Sequence, residues 1–453
     1  DEIEGILEAG EVASREKLAE LKLIAQSQSS IPNETIRADH MEKLHIDNIV
    51  IEGNNNYTKA YILGKLNLKK RDATSYKMLV ESVNNLFGTG NFENIQFKIL
   101  KTADGSIVKF KVKEHRVSNF LKLGLHYDDL YKTGILLNIT SKHVLYKNDV
   151  ISGEVILGDN LRYNFNYFID NGFYTSFGIR SRYNTFQSNV RFDEANVNKI
   201  SLQYEDFTNQ FYFQTVFNRK FAIGVGAEAK RIKAFTETIS SLEGNVVNND
   251  EERLFFDNSN YYNLISYMKL DTYDKKYFQK KGFFLDVDLR WYLASSDYND
   301  NFKPFSHIKG KIGFVHTFFD KLSFHFISEA GSTIGDNENR TLDFNVGGYG
   351  ENFINNLISF NGYDLAELNT NTFVKSGLTM RYEFLPKNYI SSTANYARVD
   401  RNLFNSGRLF ENTLTGFMVG YGLDTFFGPI EVNYTWSPDH EMNYWHFNIG
   451  YWF

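Results

Sequence analysis

Cysteine is absent from the 453 residues and proline occurs five times. The first absence excludes disulfide stapling and leaves the redox compartment undetermined. The second leaves few places where a strand ladder is forced to stop: Pro304, Pro386, Pro429 and Pro438 sit at strand ends or in loops, and Pro32 sits in a linker. No run of about 18 apolar residues occurs, so no membrane-spanning helix is expected. Basic excess is missing as well. The formal net charge is -6, and a nucleic-acid partner would leave a basic footprint. The ten histidines show no H-x-x-x-H spacing, and no G-x-S-x-G is present. No metal, cofactor or catalytic residue is therefore expected within this stretch.

What the chain does have is aromatic side chains: 41 Phe and 28 Tyr bring their share with Trp to 16%. A mean hydropathy of -0.39 would suit a soluble protein. It suits a transmembrane barrel equally, because every second residue of such a strand faces a wet lumen.

Three segments follow. Residues 1–30 read as a short amphipathic helix with Ile6, Leu7, Leu18, Leu21 and Ile24 among Glu, Lys and Ala, and 31–43 as a linker. The opening "DEIEGILEAG" is no signal peptide, and its charged, mid-helix character is that of a fragment. Residues 44–115 give the order strand, helix, helix, strand, strand. In the second helix Tyr76, Leu79, Val80, Val83 and Leu86 have the spacing of a buried stripe, closed by Gly88 and Gly90. The turn "ADGS" at 103–106 joins the last two strands.

From 116 to 453 there is only alternation. "RYNFNYFI" puts Tyr163, Phe165 and Tyr167 on one face and Arg162, Asn164 and Asn166 on the other. "GFFLDVDLRWYL" sets Phe283, Leu285, Val287, Leu289, Trp291 and Leu293 outward, with Asp286, Asp288 and Arg290 inward. The two aspartates read as lumen salt-bridge partners of Lys309 and Lys311 rather than as a metal site. Short breaks near 170–172, 218–220, 319–321, 386–388 and 427–428 alternate with long polar ones at 184–198, 236–259, 294–304, 334–371 and 399–413. That is the pattern of a barrel with tight turns at one end and surface loops at the other. "KISLQYEDFTNQFYFQTVFN" reads as one long strand, which brings the number to about sixteen. The fold class expected is a membrane all-β protein: a transmembrane β-barrel of about 16 strands, preceded by one βααββ module and a short helix.

The order of 44–115 and its "LFGTGNFENIQFKI", with Phe92 after the glycine turn, resemble the POTRA domain that precedes outer-membrane barrels. With the barrel, residues 44–453 resemble the BamA-type superfamily of outer-membrane insertion and secretion barrels. The resemblance implies a Gram-negative outer membrane, with the POTRA and N-terminus in the periplasm. It implies surrounding lipids, the barrel-insertion machinery during biogenesis, and a periplasmic or passenger protein met through the POTRA; a homodimer is a further candidate. The terminal alternation of Phe447, Ile449, Tyr451 and Phe453 resembles the family's insertion signal. The family's sixth surface loop returns into the lumen, and here 334–371 is rich in Phe344, Val346, Tyr349, Phe353, Ile354, Leu357, Ile358, Phe360 and Tyr363. Its tip is expected at Phe360, Asn361, Gly362 and Tyr363, with Asn361 where the family has Arg. Arg381, Glu383 and Asp424 are the wall candidates for the Tyr363 hydroxyl. The group "GGYG" at 347–350 reads as a loop bend. Finally, "EGILEAGEVASREKLAELKLIA" resembles the end of a patatin-like domain fused to a POTRA and barrel. This implies a membrane module, anchor or export pore, of a patatin-like phospholipase whose active site would lie upstream of Asp1; the alternative is a free-standing insertase or secretion pore.

Overall fold

The computed structural model describes residues 3–27, 44–69, 73–102, 105–128, 131–194, 197–217, 220–237, 253–296, 301–335, 340–350, 356–400 and 411–452. The linker 31–43, the turn residues 103–104, Phe353, Ile354 and Phe453 lie outside them, as do the side chains of Ile6 and Leu7.

Two helices rather than one open the chain, α1 (Ile3–Glu16) and α2 (Leu18–Ser27). Arg15 pairs back with Glu11 while Lys17 pairs forward with Glu20, so the break falls between two local ion pairs.

The next module contains β1 (Leu44–Glu52), α3 (Lys59–Leu66), the short β2 (Ala73–Thr74), α4 (Tyr76–Phe87), β3 (Phe92–Lys101) and β4 (Ser106–Glu114). Thr58 and Ser75 cap α3 and α4 by accepting the N–H groups of Tyr61 and Met78. The sheet order is β2-β1-β4-β3, with β1 parallel to β4. Ile46, Ile49, Ile62, Leu79, Leu86, Val108 and Phe110 form a fully enclosed core between sheet and helices. Tyr76, expected in the buried stripe, is exposed because it lies at the first turn of α4, where its ring only reaches Phe97.

Sixteen antiparallel strands then close into a barrel. They are β5 (Asn119–Asp128), β6 (Lys132–Lys142), β7 (Asp149–Gly158), β8 (Arg162–Ile169), β9 (Ser176–Glu194), β10 (Val197–Phe217), β11 (Phe221–Thr236) and β12 (Leu254–Asp271). After them come β13 (Gly282–Ser295), β14 (Phe305–Phe318), β15 (Leu322–Ile334), β19 (Thr372–Leu385), β20 (Asn388–Val399), β21 (Leu414–Thr425), β22 (Gly428–Trp436) and β23 (Asn443–Gly450). The small strands β16 (Phe344–Val346), β17 (Leu357–Ile358) and β18 (Leu368–Thr370) belong to the longest connection. Outward residues such as Phe165, Leu289, Trp291, Trp445, Phe447 and Ile449 are exposed, while inward Arg162, Arg290 and Asn448 are buried. The residues "EDFTN" lie inside β10. The described residues of the polar stretch 184–198 lie in strands, 184–194 in β9 and 197–198 in β10, which stay paired from Gln214↔Ser176 up to Lys199↔Arg191. Its polarity on both faces fits a strand pair that rises beyond the lipid, where an outer face need not be apolar.

The module sits against two barrel turns. Lys65 pairs with Asp170 at 2.5 Å, the Thr58 N–H donates to Asn148 Oδ1 at 2.8 Å, and Lys142 donates to Asn91 at 2.6 Å. Gly64 and Gly172 make this approach backbone to backbone, since a Cβ at Gly64 would fall 2.7 Å from Gly172 Cα. The barrel therefore has a module end, with the short turns, and a loop end.

Candidate functional site

The connection between β15 and β19 lies against the inner wall. Strand β16 pairs in parallel with β17 and antiparallel with β18, making a three-stranded sheet. Phe344, Val346, Ile358 and Phe360 are buried against the wall residues Phe373 and Ala397. The rings of Phe344 and Phe373 are 5.0 Å apart and edge-on. Gly331 on β15 makes room, because a Cβ there would fall 2.6 Å from Phe373 and 2.8 Å from Phe344. From the wall, Lys375 Nζ donates to the Ser359 carbonyl at 2.6 Å and pairs with Glu329 at 3.3 Å.

Phe360, Asn361, Gly362 and Tyr363 dock near the loop end. The Asn361 carbonyl covers Gly416, where a Cβ would fall 1.9 Å away, and Gly362 (φ +87°) faces the Trp436 carbonyl. Tyr363 donates its hydroxyl to Asp439 at 2.9 Å, and Asp439 also accepts the Thr415 N–H at 2.6 Å. Burial alone would raise the Asp439 pKa, but the bonds from Thr415, Tyr363 and Ser437 hold it below the usual carboxylate value. The structure does not bring Tyr363 to Arg381, Glu383 or Asp424. Those three sit nearer the short turns at the module end: the register carries Arg381 to Gly420 and Glu383 to Gly422, with Asp424 two residues beyond, past Gly416. There Glu383 pairs with Lys280 at 2.6 Å, Asp424 lies 4.0 Å from Lys275, and Arg381 faces Phe278 at 5.3 Å.

The deepest described part of the connection is instead Tyr349–Gly350, within the group read as a loop bend. Tyr349 stacks on His446 at 5.0 Å, and its hydroxyl accepts from Asn433 at 2.7 Å. Gly350 (φ +97°) touches Trp452, where a Cβ would fall 2.4 Å from the indole. Trp452 is the one large apolar residue at the chain end whose parity puts it inward, which was the available sequence signal. Between this segment, the wall and the turn at the module end lies a cavity of about 280 Å³, lined by Lys311, Lys375, Arg381, Asn361, Thr393 and Glu431 among others.

The wall also carries ion pairs. Asp286 and Asp288 stand in register with Lys311 and Lys309, and their bridges run to Lys269 (3.1 Å) and Arg290 (2.6 Å). Asp206 pairs with Lys230 at 3.0 Å. Among the described residues no three His, Asp or Glu side chains converge as a metal site.

The barrel closes unevenly. Among the described residues, strands β23 and β5 share Asn448↔Asp128, Ile449↔Tyr127 and Gly450↔His126, whereas β21 and β22 are paired from Phe417↔Trp436 through Thr425↔Gly428. The remainder of β5 presents Leu121, Leu123 and Leu125 outward, 64 to 74% exposed, with no strand paired to it across the seam among the described residues.

The OMP85 superfamily matches residues 106–453, and the POTRA family, described as a surface antigen variable number repeat, matches 44–115. The fold is similar to that of BamA from Haemophilus ducreyi lacking POTRA domains 1-3, with a TM-score of 0.63 and 12% identity over 90% of this chain and 84% of that one. It is also similar to CdiB from Acinetobacter baumannii, with a TM-score of 0.54 and 14% identity over 90% and 74%. At these identities the likeness is one of fold. No curated protein matches this chain.

Proposed function

The chain belongs to the OMP85 superfamily, and we propose that it inserts or passes polypeptide at the outer membrane by opening the seam between β23 and β5. It is a Gram-negative outer-membrane barrel with its POTRA in the periplasm. The carrying observation is the seam of three residue pairs. In lipid an unpaired backbone edge is costly, so a short seam is a place where an incoming strand gains hydrogen bonds by adding itself. The POTRA position supports this: it rests on the turns after β6 and β8, beside the first seam strand, where a passenger would be handed over. The lumen loop supports lateral passage, since it occupies the axial route.

The test is a disulfide across the seam, Tyr127→Cys with Ile449→Cys. These residues are opposite in register and both outward, so their Cα separation falls in the bridging range. The oxidised variant should lose client insertion or secretion and recover it on reduction. Undiminished function in the oxidised form would refute the seam.

A second reading makes the same barrel the anchor or export pore of a patatin-like phospholipase domain. It is favoured by α2, whose Leu18, Leu21, Leu23 and Ile24 are all exposed and would suit a preceding domain. A coding sequence upstream of Asp1 without G-x-S-x-G would remove it.

A further inference from the structure

The turn between β12 and β13 is too aromatic for a periplasmic connection. Residues 271–281 read "DTYDKKYFQKK", and instead of exposing their rings they fold across the mouth of the barrel. Strands β12 and β13 are eighth and ninth in the barrel, so this turn starts from the wall opposite the seam. It is anchored along the wall on β14, β15 and β19. Lys280 pairs with Glu383 and accepts, through its carbonyl, the Thr317 hydroxyl at 2.7 Å. Tyr273 meets His325 at 2.9 Å.

Phe278 is the pin. It has φ +50°, a conformation rarely taken by a bulky side chain and kept only where the surroundings over-determine it. Its ring stacks on Tyr389 at 4.4 Å and 10°, Arg381 lies 5.3 Å from its centroid, and it fills the space left by Gly422, where a Cβ would fall 2.6 Å away. The end of the turn then reaches the seam. The Tyr277 hydroxyl accepts the Trp452 N–H at 2.8 Å, and Lys276 Nζ donates to the Trp452 carbonyl at 3.0 Å. Trp452 in turn packs on His126 of β5 at 4.8 Å and on Gly350 of the lumen loop.

We propose that residues 272–281 are a strap that closes the periplasmic mouth and clasps the seam through Trp452, so that lifting the strap and parting β23 from β5 are one event. The clasp grips the backbone on both sides of one residue, immediately after the shortest strand pairing in the barrel. Whatever draws Trp452 outward breaks both bonds to the strap and vacates Gly350, and a polypeptide that lifts the strap removes two of the contacts holding Trp452 inward. The resting protein is thereby closed below as well as filled above, and the energy of engaging a client is directed to the seam. This regulation rests on the proposed opening of the seam.

The absence of native cysteine makes the test clean. Thr393→Cys places one thiol on the cavity wall, four residues further into the lumen than Tyr389. Its rate of modification by a water-soluble maleimide reports the strap in the full chain in micelles, and hydrogen exchange at 448–450 in the same chain reports the seam. Tyr277→Phe removes one hydroxyl and should raise both rates about fivefold, equivalent to about 1 kcal/mol. Phe278→Ala should raise both further; if it fails to give the heat-modifiable band of a folded barrel, Tyr277→Phe still decides. Fast labelling in the parent, labelling unmoved by Tyr277→Phe, or faster labelling with seam exchange unchanged would each overturn the strap. Parent seam amides as protected as those of β21 would instead count against the seam reading itself.

Discussion

Consider separating β5 from β23 and, for comparison, β21 from β22. Antiparallel residue pairs alternate between exchanging two hydrogen bonds and none, so the average is about one bond per pair. Among the described residues the seam has three pairs and β21–β22 has nine, from Phe417 to Thr425. At a net value of about 1 kcal/mol per bond, the seam opens for about 3 kcal/mol and its neighbour for about 9. The difference of about 6 kcal/mol corresponds to roughly 10⁴ in the opening equilibrium. Local opening of this kind is read by amide hydrogen exchange. In the full chain in detergent micelles, the amides bridging 448–450 and 126–128 should exchange at least about 10³-fold faster than those bridging β21 and β22. The oxidised pair Tyr127→Cys and Ile449→Cys should bring them back toward the protection of their neighbours. Seam amides within about tenfold of β21–β22 would refute the reasoning, because three pairs would then hold as well as nine.

Phe165 is exposed on the outer face of β8 and Asn164 is bound inward to Glu154; Phe165→Arg should cost about 2 to 4 kcal/mol in a refolding titration, Asn164→Arg far less, and equal tolerance would contradict the outer face. Docking of the POTRA should weaken in acid. His143, edge-on to Tyr57 at 4.4 Å, is held below its ordinary 6.5 by burial in spite of Glu114 and Asp149, with Lys142 adding to the lowering. A depressed folded-state value stabilises the docked form above 6.5 and loses that contribution as pH falls through 6.5 toward the lowered value, so a 65-to-170 cross-link yield that stays constant down to about pH 5 would exclude His143 as the cause. At the loop, Asp439→Ala removes the acceptor of Tyr363; a thiol at Asn361→Cys, slow toward a membrane-impermeant reagent in intact cells, should then react about tenfold faster, and fast reaction without Asp439→Ala would place this hairpin outside the lumen.

The barrel was legible because its rule is local. Tyr163 and Phe165 announce an outer face, while Tyr167, expected beside them, is buried with its hydroxyl donated to Asp149; β10 could be joined across "EDFTN" because parity is kept on both sides of it. The same rule misled at 184–198, where polar residues on both faces were taken for a loop although β9 and β10 stay paired there, with a register shift between Val197 and Lys199. Alternation reports what a face touches, and above the lipid both faces touch water.

Contacts across the lumen have no such local rule. Tyr277 and Trp452 meet over 175 residues of sequence, and neither "KKYFQ" nor "GYWF" names the other. What the sequence does carry is the set of vacancies on the wall. Gly331, Gly416 and Gly422 all point inward from their strands, and each is filled by a different element: Gly331 by Phe344, Gly416 by the Asn361 carbonyl, Gly422 by Phe278. A Cβ at any of them would collide with its occupant, so the glycines mark where something must approach without telling what. The choice of occupant follows from reach. The 37 residues between Ile334 and Thr372 can supply both Phe344 and Asn361, whereas Gly422 lies one short turn from the module end, and the aromatic turn after β12 crosses that mouth. That Arg381 and Glu383 hold the strap rather than Tyr363 follows from the same geometry: the register carries Arg381 to Gly420 and Glu383 to Gly422, toward the module end, while Tyr363 is held by Asp439 in the connection between β22 and β23 at the loop end.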